Sequence, residues 1–154
     1  MNSSRRPFII FGIVIATAII LRMIYWLSPM TEYRVVIRGQ SIVVDVVRDE
    51  ETRRQGLSGR VTLAEDHGML FIFPEKDVLR FWMKDMVIPL DMIWIDDGKI
   101  IDITPRIPVP AFGVLDAALP FYAPKIPAKM VLEVNAGSAE RFGWRAGDAV
   151  TMDI

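Results

Sequence analysis

Four side chains between positions 82 and 91 have the types and spacing of a small binding site: Trp82, Lys84, Asp85 and Asp91. The tryptophan offers a flat apolar face for a ring, while a lysine and a carboxylate can orient a polar ligand. The alternative is structural, with the tryptophan in the core and Lys84 paired with a carboxylate at the end of a hairpin. Asp91 lies between two apolar residues, so it needs a partner if it is buried.

Paired carboxylates indicate a second, catalytic alternative. Asp85 with Asp91, or Asp91 with Glu133, could divide the acid and base roles of glycoside hydrolysis. The sequence does not give the distance between these groups, and most acidic pairs are simply solvated. A small cell-envelope hydrolase that uses Asp91 therefore stays an alternative.

Three arginines form a candidate anion-binding group. Arg53, Arg54 and Arg60 surround residues 55–59, and neighbouring guanidinium groups can capture an anion, although a solvated helix end gives the same pattern. The chain has no cysteine and a single histidine, which removes thiolate metal sites and most parts of a zinc site or a catalytic triad. We expect no metal site and no cofactor.

An apolar segment near the N-terminus has the length of a membrane-spanning helix. Residues 8–27 contain one charged side chain, Arg22, and 20 residues suffice for a helix to cross a bilayer. Two arginines and no acid precede the segment, which favours an N-terminus inside the cell and a domain outside it. A cleaved signal peptide is the alternative, since small residues occupy positions 16–18. We predict an anchor or signal sequence over residues 1–30 and one domain over residues 31–154.

The charge balance of the predicted domain argues against nucleic acid as a partner. Three of the 18 Lys and Arg residues and none of the 19 Asp and Glu residues lie in the first 30 positions, which leaves 15 basic against 19 acidic side chains. The resulting net charge of about −4 has the wrong sign for neutralising phosphates. The partners that we expect are a membrane, through residues 8–27, and a small polar or envelope ligand.

Apolar runs separated by turn residues predict a mainly β domain with two short helices. Six of the ten prolines lie in residues 104–129, which predicts a long loop that is either functional or poorly ordered. We expect a compact β-sandwich, a jelly-roll-like fold or a partial barrel, preceded by one N-terminal transmembrane helix. The predicted strands are 33–37, 42–47, 68–73, 80–83, 90–95, 99–104, 130–134 and 149–154, with helices after Asp49 and Asn135 and a turn at 74–78.

Several motifs resemble those of the DUF192 family, a prokaryotic domain of unknown function. The most specific are Phe-Trp-Met-Lys at 81–84 and Ile-Pro-Leu-Asp at 88–91. The resemblance implies a compact β-rich fold, often behind a signal peptide or anchor, and no established activity. Asp85-Met86 stands where the family usually has Asn-Thr, and Asp45 where it usually has Glu. The other matching segments are RQGLSGR at 54–60, GMLF at 68–71 with Phe73, VLEV at 131–134 and GD at 147–148.

These patterns together favour a membrane-anchored, extracytoplasmic β domain that acts as a binding or accessory module rather than as an enzyme. We expect its groove between the bend at 81–91 and the loop at 104–129. A purely structural interaction domain is the remaining alternative, and an exposed apolar patch without convergent polar groups would indicate it. Secretion or a periplasmic location after cleavage is the alternative to an anchor.

Overall fold

Residues 32–154 are the part of the chain that the structure, a computed structural model, describes. The predicted membrane segment at 8–27 lies outside them, and within them no helix is long and apolar enough to span a bilayer. The elements of the described part are β1 (Tyr33–Ile37), β2 (Gln40–Val47), α1 (Glu50–Gln55), β3 (His67–Asp77), β4 (Leu90–Asp96), β5 (Lys99–Ile107), a 3-10 helix (Asp116–Ala118), β6 (Ala128–Asn135), α2 (Ser138–Phe142) and β7 (Val150–Asp153).

The seven strands form one mixed sheet in the order β5-β4-β6-β3-β2-β1-β7. Neighbouring strands are antiparallel except β2 and β3, which run parallel and are joined by residues 48–66, including α1. The sheet curls until its two edges meet in part, because a bridge pairs Lys99 of β5 with Ala149 just before β7. The fold is a half-barrel. Of the predicted architectures the partial barrel is confirmed, and a single curled sheet replaces the two sheets of a sandwich.

Two apolar clusters pack against the two faces of this sheet. The first draws side chains from all seven strands, so it fills the inside of the curl, and we call it the inner cluster. The second, the outer cluster, lies on the opposite face under α1 and the long connections. Its buried members are Val47, Leu57, Met69, Phe71, Leu79, Met83, Met86, Leu90, Met92, Trp94, Ile107, Ala128 and Val131.

β4 shows why one strand serves both clusters. All seven of its residues are buried. Successive side chains of a strand point to opposite faces, so Met92 and Trp94 join the outer cluster while Ile93 and Ile95 join the inner one. Burying each large apolar side chain contributes about 1.5–3 kcal/mol. The indole of Trp94 donates a hydrogen bond to Thr104 Oγ1 at 2.8 Å, which satisfies its polar atom.

Two predicted elements differ from the structure. The turn predicted at 74–78 is wrong, because β3 continues to Asp77, with a register shift between Ile72 and Asp77 that accommodates Pro74. The strand predicted at 80–83 is also wrong. Only Phe81 pairs, in an isolated bridge with Tyr122, because the segment crosses the outer face instead of joining the sheet.

Candidate functional site

A buried carboxyl group faces a small cavity on the outer face of the sheet. Glu133 of β6 is 5% exposed and lies opposite Met69 and Met92 on the neighbouring strands. No group in residues 32–154 hydrogen-bonds to its carboxyl, and burial raises the pKa of Glu133 to about 8. At neutral pH the carboxyl is therefore mostly protonated, so it can donate one hydrogen bond and accept others.

The cavity has a volume of about 40 Å³, enough for a hydroxyl or amino group. A wider groove of about 230 Å³ lies beside it and shares four lining residues with it, Arg53, Arg54, Phe81 and Trp82. We call the two together the Glu133 groove. A buried polar group at the end of an aromatic and cationic groove is the usual plan of a small-ligand site. The remaining residues of the groove are Glu50, Gln55, Gly56, Leu57, Ser58, Phe71, Phe73, Arg80, Met83 and Met86.

Helix α1 forms one wall of the groove. The Asp49 carboxylate caps the helix by accepting the Thr52 backbone N–H at 2.9 Å, as predicted. Gly56 ends it with a φ of +50°, and a Cβ there would lie 3.3 Å from the Phe71 ring. A glycine thus lets the end of the helix pack closely on the outer cluster, which places the arginines of its last turn over the cavity.

The two arginines of α1 have different surroundings. Arg53 donates to the Ile72 carbonyl at 3.1 Å and lies 4.8 Å from the centre of the Phe73 ring, so its guanidinium group is fixed. Arg54 is exposed and pairs with Glu50 one helical turn away, a contact worth little in water. Arg54 is therefore the arginine that a ligand can recruit. Arg60, predicted to act with them, does not line the groove.

Arg60 instead pairs with Asp45, its Nη2 lying 2.8 Å from the Asp45 carboxylate. Both side chains are largely exposed, so this is an ordinary surface ion pair. The structure thus brings two of the three predicted arginines to one site.

Trp82 adds an exposed aromatic side chain to the lining of the groove, and Phe121, which is not part of the lining, stacks on it. The rings of Trp82 and Phe121 are nearly parallel, with centroids 5.9 Å apart. The guanidinium group of Arg80 lies 5.0 Å from the Phe121 centroid, and Lys84 Nζ lies 5.8 Å from the Trp82 centroid. We call Trp82 and Phe121 the aromatic platform. Lys84 is paired with Asp116, so Arg80 is the cation beside the platform that can attract a negatively charged ligand.

The segment that carries Trp82 is fixed by hydrogen bonds to the residues that follow α1. The Lys84 carbonyl accepts from Ser58 Oγ and the Asp85 carbonyl from the Gly59 N–H, both at 2.9 Å. Lys84 Nζ pairs with Asp116, not with the two predicted aspartates, and this hydrogen bond raises the pKa of Lys84. Asp85 has a φ of +55°, a conformation that Asp and Asn adopt more readily than other side chains. The backbone, rather than a ligand, explains an Asn or Asp here.

Asp91 lies apart from the aromatic platform, on the inner side of β4. It is fully buried. One carboxylate oxygen accepts the N–H groups of Arg106 at 2.7 Å and Gly137 at 2.9 Å, and the other accepts that of Ala139 at 2.8 Å. The carboxylate therefore joins β4 to the end of β5 and to the start of α2. The sequence indicated that Asp91 needs a partner if it is buried, and these three backbone N–H groups are that partner.

The predicted catalytic pair of Asp91 and Glu133 is divided by the sheet. Asp91 lies opposite Val134, and Glu133 lies opposite Met92, so the two carboxyl groups belong to opposite faces. They cannot flank one glycosidic bond. Sequence reasoning noticed Glu133 only as half of this pair, although an acid in the middle of the apolar run 130–134 was a signal that it faces something other than core.

Within the described part of the chain, no group of three or more His, Asp and Glu side chains is placed to hold a metal ion. The side chains that line the groove can form hydrogen bonds, ion pairs and ring-stacking contacts. Its polar contacts would come from the Glu133 carboxyl and from guanidinium groups.

Comparison with known proteins identifies the family. The model of the DUF192 family, described as Uncharacterized ACR, COG1430, matches residues 33–152. The chain belongs to the DUF192 family. No curated protein matches this DUF192 chain.

Two solved structures resemble this DUF192 protein. One, from Sinorhizobium meliloti 1021 and described as a "putative transcription regulator", is 32% identical, with 79% of this chain and 92% of that chain aligned and a TM-score of 0.68. The other, a protein of unknown function from Novosphingobium aromaticivorans DSM 12444, is 27% identical over 81% of this chain and 88% of that chain, with a TM-score of 0.70. The family and the β-rich fold that the motifs implied are confirmed.

Proposed function

We propose that this DUF192 protein is a non-enzymatic binding module, anchored in the cell membrane, that captures a small polar ligand on the extracytoplasmic side. One observation supports the binding role above all others. Glu133 is buried without a hydrogen-bonding partner in residues 32–154, and its carboxyl faces a cavity. A buried polar group normally has a partner, so a ligand group that fills the cavity would satisfy it.

The surroundings of Glu133 define the chemistry of the ligand. Arg54 and Arg80 favour a carboxylate or another acidic group, because guanidinium groups bind such anions through two parallel hydrogen bonds. The aromatic platform favours the flat apolar face of a sugar or similar ring. The cavity accepts a hydroxyl or amino group beside the protonated carboxyl. An acidic amino sugar of the cell envelope combines all three features.

The sequence supports the proposed location of the domain, anchored in the membrane and outside the cytoplasm. The apolar run at 8–27, preceded by arginines without acids, favours one transmembrane helix with the domain outside the cytoplasm. The domain begins at Tyr33, so only a short tether separates it from the anchor. If the segment is removed as a signal peptide, the same domain is released outside the cytoplasm.

A small hydrolase is the competing proposal, and the site geometry gives it less support. Such an enzyme needs two carboxyl groups at one bond. Glu133 lines the cavity and Asp91 lies on the other face, while Glu50, the other acid of the groove, is paired with Arg54. A purely structural role also has less support, since polar groups converge in the groove.

A matched pair of sugars tests the ligand chemistry. N-acetylmuramic acid differs from N-acetylglucosamine by one carboxylate-bearing ether, so calorimetry with the purified chain should show tighter binding of the acidic sugar. Arg54→Ala removes a charge-assisted hydrogen bond worth about 1.5–3 kcal/mol, and we expect about tenfold to hundredfold weaker binding of the acidic sugar alone. Trp82→Ala should weaken the binding of both sugars.

Arg60→Ala is the control, because it removes the same charge from an exposed ion pair outside the groove. Equal affinity of the wild-type protein for the two sugars, or equal effects of Arg54→Ala and Arg60→Ala, would contradict an acidic ligand. Failure of every acidic and neutral envelope sugar to bind at millimolar concentration would contradict the binding module itself.

A further inference from the structure

The buried methionines of the domain gather on one face of the sheet. Residues 32–154 contain six methionines, and four of them are buried members of the outer cluster. The inner cluster also has thirteen buried members, and none of these is a methionine. The sequence alone favours core packing for these residues, since methionine fills irregular gaps, and it predicts no metal site. The structure adds that all four surround one carboxyl group.

Two of the four flank Glu133 on the sheet itself. Met69 of β3 and Met92 of β4 lie directly opposite Glu133 on its two neighbouring strands. Side chains that lie directly opposite each other point to the same face, with Cβ atoms about 4.5–5.5 Å apart. A row of thioether, carboxyl and thioether groups therefore crosses three strands on the outer face.

The other two methionines cover this row from above the sheet. Met83 and Met86 lie in the segment that crosses the outer face, and the Met86 N–H donates to the Met83 carbonyl at 3.2 Å, so a single turn carries both. Both side chains line the cavity of about 40 Å³ together with Glu133. A cavity of this size holds one ion or one small group. We call Glu133 and the four methionines the methionine site.

No charged group beside the cavity neutralises Glu133. The guanidinium group of Arg53 donates to the Ile72 carbonyl, and that of Arg54 pairs with Glu50. Burial alone raises the pKa of Glu133, so neither guanidinium group acts on this carboxyl. A cation that enters the cavity therefore meets a carboxyl group whose charge is not already shared.

We propose that the methionine site binds one Cu(I) ion through thioether sulfurs and the Glu133 carboxylate. Soft thioether ligands select Cu(I), whereas Mg²⁺ and Ca²⁺ prefer oxygen ligands. Cu⁺ would replace the carboxyl proton, so the buried site would stay neutral. A divalent ion with the same ligands would leave one positive charge without a partner in an apolar cluster, which is costly.

The metal site goes beyond the proposed sugar-binding function and does not depend on it. Both occupants use the same small cavity. A bound Cu(I) ion would therefore exclude a sugar hydroxyl or amino group from Glu133, and copper-loaded protein should bind the acidic sugar more weakly than metal-free protein does.

Competition with bicinchoninate, whose Cu(I) complex is coloured, measures the affinity of the full chain for Cu(I) without oxygen and with ascorbate present. We expect one ion per chain. Met83→Leu and Met86→Leu each remove a sulfur at nearly constant side-chain volume, and each should weaken binding at least about tenfold. Met130→Leu is the matched control. It is the same substitution on the strand that carries Glu133, but Met130 packs against the inner cluster.

X-ray absorption at the copper edge identifies the ligands. Sulfur neighbours without the scattering pattern of an imidazole would support the methionine site. An imidazole pattern would assign the ion to His67, the single histidine, and would overturn the proposal. Equal affinities of Met83→Leu, Met86→Leu and Met130→Leu, or no Cu(I) binding at all, would overturn it as well.

The sugar titrations use protein that has been freed of metal with a chelator. Failure to bind Cu(I) would then leave the proposed sugar binding standing. Failure of every sugar to bind would in turn leave the Cu(I) site standing.

Discussion

Two acidic residues on neighbouring strands show that a shift of one position along a strand moves a side chain to the other face of the sheet. Asp91 and Glu133 both interrupt apolar runs, and each is buried. Asp91 meets three backbone N–H groups on one face, whereas Glu133 meets a cavity on the other. The sequence identified Asp91 as unusual and Glu133 only as its possible partner, and it could not assign roles, because the face of each side chain depends on the register of strands far apart in the chain.

Burial of Glu133 predicts an unusual dependence of stability on pH. Its pKa is raised from 4.5 to about 8, so the folded state holds this proton where the unfolded state has lost it. The contribution is therefore most favourable below pH 4.5 and is lost as the pH rises towards 8. Between pH 5 and pH 8 we expect this group to lower the free energy of unfolding by about 3 to 4 kcal/mol.

Urea denaturation of wild-type protein and Glu133→Gln at the two pH values measures this effect. The glutamine variant has no such proton and should lose less stability over the same range. Glu75→Gln is the control, because Glu75 is an exposed glutamate of β3 and its variant should behave as the wild-type protein does. Parallel pH profiles for wild type and Glu133→Gln would show that the buried carboxyl does not titrate in this way.

At the scale of the elements, sequence prediction succeeded where turn chemistry was strong. Positive φ values at Gly39 and Gly98 mark the hairpin turns between β1 and β2 and between β4 and β5, and the predicted strands on both sides exist. Prediction failed at Pro74, where a register shift allows a proline within a long strand, and at 80–83. The segment 80–83 lies across the outer face instead, and of its residues Met83 is buried and Phe81 half-buried, while Arg80 and Trp82 are exposed.

Asp91 gives a test at the same scale, since it links three elements. Asp91→Ala leaves three backbone N–H groups of β5 and the start of α2 without their acceptor, and each buried donor left unpaired costs about 1 to 3 kcal/mol. Chemical denaturation should show this loss, with a smaller one for Asp91→Asn, which keeps one acceptor oxygen. Sugar binding by the folded fraction should stay unchanged, because the Glu133 groove is on the other face. Wild-type stability of Asp91→Ala would exclude the linking role.

The barrel-like architecture of the domain depends on how far the curled sheet closes. Beside the bridge between Lys99 and Ala149, the N–H groups of Ile100, Gly147 and Val150 donate across the gap at 2.8 to 2.9 Å. The sequence predicted a partial barrel only as one of three architectures, because the pairing of two edges separated by about fifty residues leaves no local pattern. The closure arises only when all seven strands have paired and the two edge strands meet.

Hydrogen exchange measures this closure. If the edges stay joined, the amides of Ile100, Gly147 and Val150 should exchange slowly, at rates near those of the central strand β4. The amides of residues 111–113, in the exposed loop after β5, provide the fast reference. Exchange of Ile100 and Val150 as fast as that of the loop would mean that the barrel opens at this seam in solution.

The parallel pairing of β2 and β3 determines where members of the family can vary in sequence without disturbing the sheet. Two parallel strands cannot be joined by a tight turn, so the connection from β2 to β3 must travel back along the sheet. That obligatory return carries α1 and its arginines across the outer face. Insertions or substitutions there can reshape the groove without disturbing the pairing of any strand. The lining of the groove can therefore diverge between relatives while the half-barrel stays constant.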